Sequence, residues 1–321
     1  MRSLYESLLD DISSIEKNQS KSNKDSIKEF LKKTFKGASS CKISRKPNED
    51  GVYVVDATKN IVLEDSSANT LTNGLFVWGK VIGDFICGYC PELISLEGAP
   101  EVVTGKFQLT EGKLLKSLVG GPKECDTFEC YNCPLLNDLI GAPEKCVNFN
   151  CSTCNLKSLE GCPQDVKNIN IGYIKELKTL KGCPQEISGS FTMKWLYDVI
   201  SLEGGPKKVG KFIKGNAYRC EACQKLQSLK GAPTHIIGNF VCASCTSLKN
   251  FEGSPKIVDG EFWWTHNIID FNNQNAFKGF PTKANEVHIS ASAKDMEICK
   301  EKIMNVCNIL PKDIHIHVGV K

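Results

Sequence analysis

Apolar positions in this chain recur about every 20 residues. The signature Leu or Phe, any residue, Gly, any residue, Pro appears nine times, with prolines at 100, 122, 143, 163, 184, 206, 233, 255 and 281. Three residues past most of the prolines stands an apolar or cysteine position: Val103, Cys125, Cys146, Val166, Ile187, Val209, Ile236, Val258. Three or four residues later an apolar strand begins, at Phe107, Phe128, Phe149, Ile169, Phe191, Phe212, Phe240 and Phe262. Self-similarity at a period of roughly 20 to 50 residues marks a solenoid, in which each unit buries its apolar face only against its neighbours.

The unit is clearest in Phe240-Val-Cys-Ala-Ser-Cys-Thr-Ser-Leu-Lys-Asn-Phe-Glu-Gly-Ser-Pro255. Strand side chains alternate faces, so Phe240 and Cys242 point inward together and Val241 points outward. Leu248 and Phe251 pack beneath, and Gly-x-Pro turns the chain on the far side. About ten such strands are expected, with the repeats spanning residues 85–290.

The flanks read as caps. Ser3/Glu6 and Ser26/Glu29 have capping-box spacing, which predicts a short helix over residues 3–16 and a second one bearing Ile27, Phe30, Leu31 and Phe35. The polar run Lys17–Asp25 between them predicts a flexible linker, so residues 1–25 are expected to be a mobile segment and residues 26–84 the N-terminal cap. Val52–Val55 and Asn60–Leu63 flank a polar turn and predict a hairpin opening the array, and Phe76–Trp78 predicts a further strand. Residues 291–321 predict a C-terminal cap: after the strand Val287–Ile289 comes a helix over about 293–308, with Met296, Ile303 and Val306 apolar, then a closing strand at Ile314–Val318.

Phe-x-Cys-x-x-Cys falls where leucine-rich repeats carry Leu-x-Leu-x-x-Asn/Cys, and Phe262-Trp-Trp-Thr-His-Asn267 restores the usual Asn. The chain resembles the leucine-rich repeat family over about two thirds of its length. Its Gly-x-Pro, Val, Phe-x-Cys-x-x-Cys variant is most similar to uncharacterised repeat proteins encoded by phages and genomes of gut Bacteroidetes. It also resembles the exported bacterial surface repeats of the Pro-x-x-Val, Phe-x-x-Cys kind. The resemblance implies a leucine-rich-repeat-like horseshoe or arc of parallel strands with a protein-binding face, and no activity.

Two units depart from the frame. Counting from Pro206 places a strand at Phe212, whereas counting back from Leu226 places it at Tyr218, so about six residues around Ile213–Ala217 are expected to bulge. Asn272-Asn-Gln-Asn275 is a second insertion, and insertions in repeat proteins map to loops.

Composition narrows the function classes. Forty basic against 37 acidic residues give a formal net charge of +3, with no prior for a polyanion. No apolar run approaches the roughly 20 residues of a membrane span. Seventeen cysteines without a secretory leader read as reduced thiols and a cytoplasmic setting, that of the host cell if the gene is a phage's.

Five Cys-x-x-Cys pairs (87/90, 130/133, 151/154, 220/223, 242/245) include two neighbouring sets with four-cysteine zinc spacing. The same two positions elsewhere hold Leu109/Gly112, Ile171/Ile174 and Met193/Leu196. A position that Ile or Leu can fill is a core position, where reduced cysteine serves as a small buried hydrophobe. The expectation is therefore a cysteine ladder, with no metal and no cofactor. His315 and His317 share one strand face and could ligate a metal, but read first as exposed polar residues of the cap; His235, His266 and His288 are scattered. No nucleophile elbow or phosphate-cradling loop is present, so no residue is assigned a catalytic role and the protein is expected not to be an enzyme.

The outward face of the strands remains. Its candidate binding residues are Glu129, Tyr131, Asn150, Asn170, Thr192, Lys194, Val241 and Trp263, on a surface about 45 Å long at ~4.8 Å per strand. The middle is rich in Asn, Thr and Ser, and Trp263 is an outward aromatic of the kind enriched at interface hot spots, unless it packs on Trp195 or the 213–217 bulge. The expected function is a non-enzymatic scaffold that binds an unidentified protein, with no nucleic acid or membrane partner. The alternative is a structural or self-assembling component, virion- or cargo-like, docked through its N-terminal helix. A zinc-bearing nucleic-acid binder is the third reading.

Overall fold

Arg2–Thr34 forms one continuous helix of 33 residues, α1, about 50 Å long. The computed structural model describes residues 2–64, 66–210, 215–267 and 269–318, and their side chains except those of residues 2–12 and Asn216. The expected linker at Lys17–Asp25 is helical instead. The run is polar but holds no Gly or Pro, so helix costs it only a few tenths of a kcal/mol per residue. It is also tied to the body: Ser20 Oγ and Tyr53 Oη lie 2.8 Å apart, and Lys24 Nζ donates to the Arg45 carbonyl at 2.8 Å. Ile27 and Leu31 are buried under the first coil, while Phe35 has already left the helix for the strand Phe35–Lys36.

The predicted opening hairpin does not form. Tyr53–Ala57 and Ile61–Leu63 are successive segments of one coil, each running on to a parallel partner: Tyr53 opposite Phe76, Ile61 opposite Phe85. Antiparallel pairing among the described residues is confined to the entry, where Phe35 pairs Leu63 and Cys41 pairs Ala57.

From there the chain is a parallel β-solenoid of about ten turns. Two apolar ladders run its length. Val81, Val103, Cys125, Cys146 and Val166, then Ile187, Val209, Ile236, Val258 and Ala284, form one. Phe85, Phe107, Phe128, Phe149, Ile169, Phe191, Tyr218, Phe240, Phe262, Val287 and Ile314 form the other. The first four phenylalanines stack with centroids 5.5–5.7 Å apart and planes within 9°. Each is fully buried, worth roughly 2–3 kcal/mol of transfer free energy.

The Gly of each Gly-x-Pro turn is needed twice over. Gly161 has φ +87, and a Cβ there would lie 2.3 Å from the Leu139 carbonyl carbon of the preceding coil. Of the two competing strand positions, the register selects Tyr218 over Phe212; Lys211–Lys214 lie outside the described residues, and the described flank shifts register between Asn216 and Tyr218. Asn272–Asn275 form an exposed turn.

The C-terminal strand–helix–strand is as expected: Lys283–Ala291, then α2 (Met296–Val306), then Ile314–Val318 in parallel with the first strand. The helix packs through Cys299 and Ile303, whereas Val306 is exposed.

Candidate functional site: the outward face of the strand layer

Register fixes the outward rungs. One row reads Gln108, Glu129, Asn150, Asn170, Thr192, Arg219, Val241, Trp263, His288, His315. The row beside it contains Thr110, Tyr131, Ser152, Gly172, Lys194, Glu221, Ala243 and Thr265. All eight sequence-predicted residues lie on these two rows, but their environments differ.

At the N-terminal end the groups satisfy one another. Lys106 Nζ lies 3.2 Å from Glu129, and Asn150 Nδ2 donates to Glu129 at 3.4 Å. Burial, reinforced by Glu129, pushes the Tyr131 phenol up to about 12. Alongside, Asn148 donates to Thr127 at 3.1 Å and Asn168 donates to Asn148 at 2.9 Å, so these amides hold neighbouring coils together.

Mid-face the polar groups have no such partners. Asn170 is exposed and Thr192 half-buried, and neither side chain is hydrogen-bonded to the described residues. Beside them Tyr173 and Trp195 stand near the end of their strands, Asp165–Ile174 and Phe191–Leu196, with φ +55 and +53. Other coils place Glu111, Asn132, Thr153, Ala222 and Ser244 in this left-handed position, so the turn fixes the backbone there and leaves the side chain unconstrained. The two rings stack at 6.1 Å, exposed to 53% and 36%. Next, Glu221 accepts from Arg219 at 2.8 Å and lies 3.6 Å from Lys194, which offsets part of their positive charge.

Val241 must be corrected as a contact residue. It points outward but is only 7% exposed, a short side chain between Arg219 and Trp263 in register. Trp263 does not meet Trp195. It lies on His288, centroids 3.7 Å apart and 1° from parallel, and donates its Nε1 proton to Glu261 at 2.6 Å.

His288 is not isolated, as its sequence position suggested. It pairs with His315 across the cap strands, and its Nδ1 lies 3.2 Å from His317 Nε2. Burial holds its pKa below the ordinary imidazole value, against an opposing hydrogen bond to Glu286. Arg219 and Glu221 were missed because the insertion blurred the strand start; counting back from Leu226 recovers both. Glu286 and the place of His288 were missed because the outward phase was not carried past Phe262 into the cap; His315 was singled out, but beside His317 rather than His288.

The cysteines face the other way. Sixteen of the 17 are buried and all are free thiols. The sulfurs of Cys130, Cys151 and Cys154, and of Cys220, Cys223 and Cys245, lie within 4.8 Å of one another. Asn267 shows what the second position of each pair does. Its Oδ1 accepts the Cys245 N–H at 2.6 Å and its Nδ2 donates to the Cys242 carbonyl at 2.9 Å. In the preceding coil a cysteine takes this place, and the Cys245 thiol donates to the equivalent Cys220 carbonyl at 3.9 Å. Burial raises Cys87 and Cys162 well above the ordinary thiol range and Cys183 to about 12.

No family model, curated protein or solved structure matches the chain. No helix among the described residues is long and apolar enough to cross a membrane.

Proposed function

We propose that the outward strand face is a non-enzymatic docking surface for a protein partner, centred on Asn170, Thr192, Tyr173 and Trp195. The stacked, exposed Tyr173–Trp195 pair carries this reading. Folding gains little from two aromatics held in water at a position that Thr, Ala or Ser fills in sister coils, whereas Tyr, Trp and Arg are the residues that dominate interface energetics. The unpartnered amide and hydroxyl beside them supply hydrogen bonds. The internally paired charges leave little for electrostatic steering, which suits a partner of near-neutral surface.

The test is site-specific photocrosslinking in the cell that makes the protein, with a photoreactive residue at position 192 or, as control, at exposed Lys157 on another face. A single adduct from position 192, absent from 157 and lost on Trp195→Ala, supports the reading. Identical adducts from both positions, or none from 192, overturn it.

Self-assembly through α1 is the second reading, favoured by Ile15, 62% exposed on that helix. Light scattering on the full chain and on a chain lacking residues 1–19, which leaves the Ser20–Tyr53 contact intact, separates the two.

A further inference from the structure

We propose that Glu286, His288 and His315 form a binding site for one first-row divalent transition-metal ion of the zinc class. The two imidazoles converge on one carboxylate oxygen: His288 Nε2 is 3.3 Å and His315 Nε2 3.4 Å from Glu286 Oε2. All three donor atoms lie within 4.8 Å of one another.

The spacing suits ligation. A charge-assisted N–H···O⁻ hydrogen bond runs about 2.7–2.9 Å, so the His288–Glu286 hydrogen bond and the His315–Glu286 ion pair are both at the long end. Ligands at about 2.0–2.1 Å from a tetrahedral ion sit about 3.3–3.4 Å apart, which matches the two His–Glu separations; the His288 and His315 rings stack at 4.5 Å, and the half-exposed His315 ring turns to aim its nitrogen at the same ion. Two imidazoles and one carboxylate suit zinc, copper or nickel rather than magnesium or calcium, which prefer all-oxygen shells.

The surroundings hold the ligands as a metal site requires. Trp263 lies flat on His288 at 3.7 Å, and His317 engages the other nitrogen of the same ring, fixing its orientation. Glu286 and His315 side chains are 45% and 42% exposed, leaving an entry path and room for water as a fourth ligand. Packing does not call for histidine here, because the same row carries Gln108, Asn150 and Thr192 in earlier coils.

The test uses the full chain, stripped with chelator under reducing conditions and titrated with Zn2+ by calorimetry and with Co2+ by absorption. The expected result is one micromolar or tighter site with tetrahedral Co2+ bands and no sulfur-to-cobalt charge transfer. Glu286→Gln and His315→Ala should each weaken it at least about tenfold; His317→Ala should weaken it about 10–100-fold, the range for outer-shell partners. His235→Ala, outside the cluster, should leave it unchanged. Thermal melts of the metal-free variants check that they fold. Absence of saturable binding, binding that survives both Glu286→Gln and His315→Ala, or a thiolate spectrum pointing to the cysteine ladder would each overturn the proposal.

Discussion

Trp263 and His288 lie opposite each other on adjacent parallel strands with their rings 3.7 Å apart and 1° from parallel. The indole is the main cover of an imidazole that is 9% exposed and faces Glu286, Glu261, His315 and His317. Burial holds the folded pKa of His288 below the unfolded value of about 6.5, so the folded state binds fewer protons than the unfolded one. Its contribution to stability is therefore complete above about pH 6.5 and is lost as pH falls towards the folded pKa. In chelator, urea midpoints should drop between pH 7.5 and 5.5. Trp263→Ala should raise the His288 pKa seen by NMR titration and flatten that dependence; an unchanged pKa would show that the indole is not what shields the ring.

Tyr218 stands in the phenylalanine ladder between Phe191 and Phe240, and its hydroxyl is fully buried without a hydrogen-bond partner among the described residues. A desolvated, unpaired hydroxyl costs about 1–3 kcal/mol. Tyr218→Phe should stabilise the protein by about 1 kcal/mol, read as a higher denaturation midpoint at unchanged slope. Destabilisation would mean that the hydroxyl has a partner.

Gly161 and Gly51 both have positive φ, but a Cβ at Gly161 would strike the Leu139 carbonyl whereas one at Gly51 meets nothing within 4 Å. Gly51→Ala should cost only the left-handed backbone term of about 1–2 kcal/mol. Gly161→Ala should cost clearly more and loosen the coils around Leu139, seen as local hydrogen exchange. Equal losses would show that φ alone fixes glycine in the Gly-x-Pro turn.

The ladders were legible because their period survives one-residue changes in coil length, and because Gly-x-Pro marks each unit independently of the strand. The entry was not. Tyr53–Ala57 and Ile61–Leu63 look like a hairpin because every coil bends between two apolar segments, and sequence does not reveal that each segment pairs onward. Lys17–Asp25 looked like a linker because polarity without Gly or Pro fits linker and helix alike; Tyr53 and Arg45 decide it from afar. On the face, phase placed the rungs, but not Val241's burial or the meeting of His288 with His315, which depends on how α2 returns the chain.

Asn267 gives the sharpest test of why cysteine recurs in the core. Its amide satisfies both the Cys245 N–H and the Cys242 carbonyl, two buried groups of the preceding coil. Asn267→Leu would fill the space and orphan both, at about 2 kcal/mol or more. Asn267→Cys should be tolerated better, because a thiol donates to the equivalent carbonyl in sister coils, and reduced cysteine is comfortable in apolar surroundings. Denaturation of the two variants ranks them directly. If Leu were as stable as Cys, the second cysteine of each pair would not be there to serve that carbonyl, and a shared role for the clustered thiols would become the better account of the ladder.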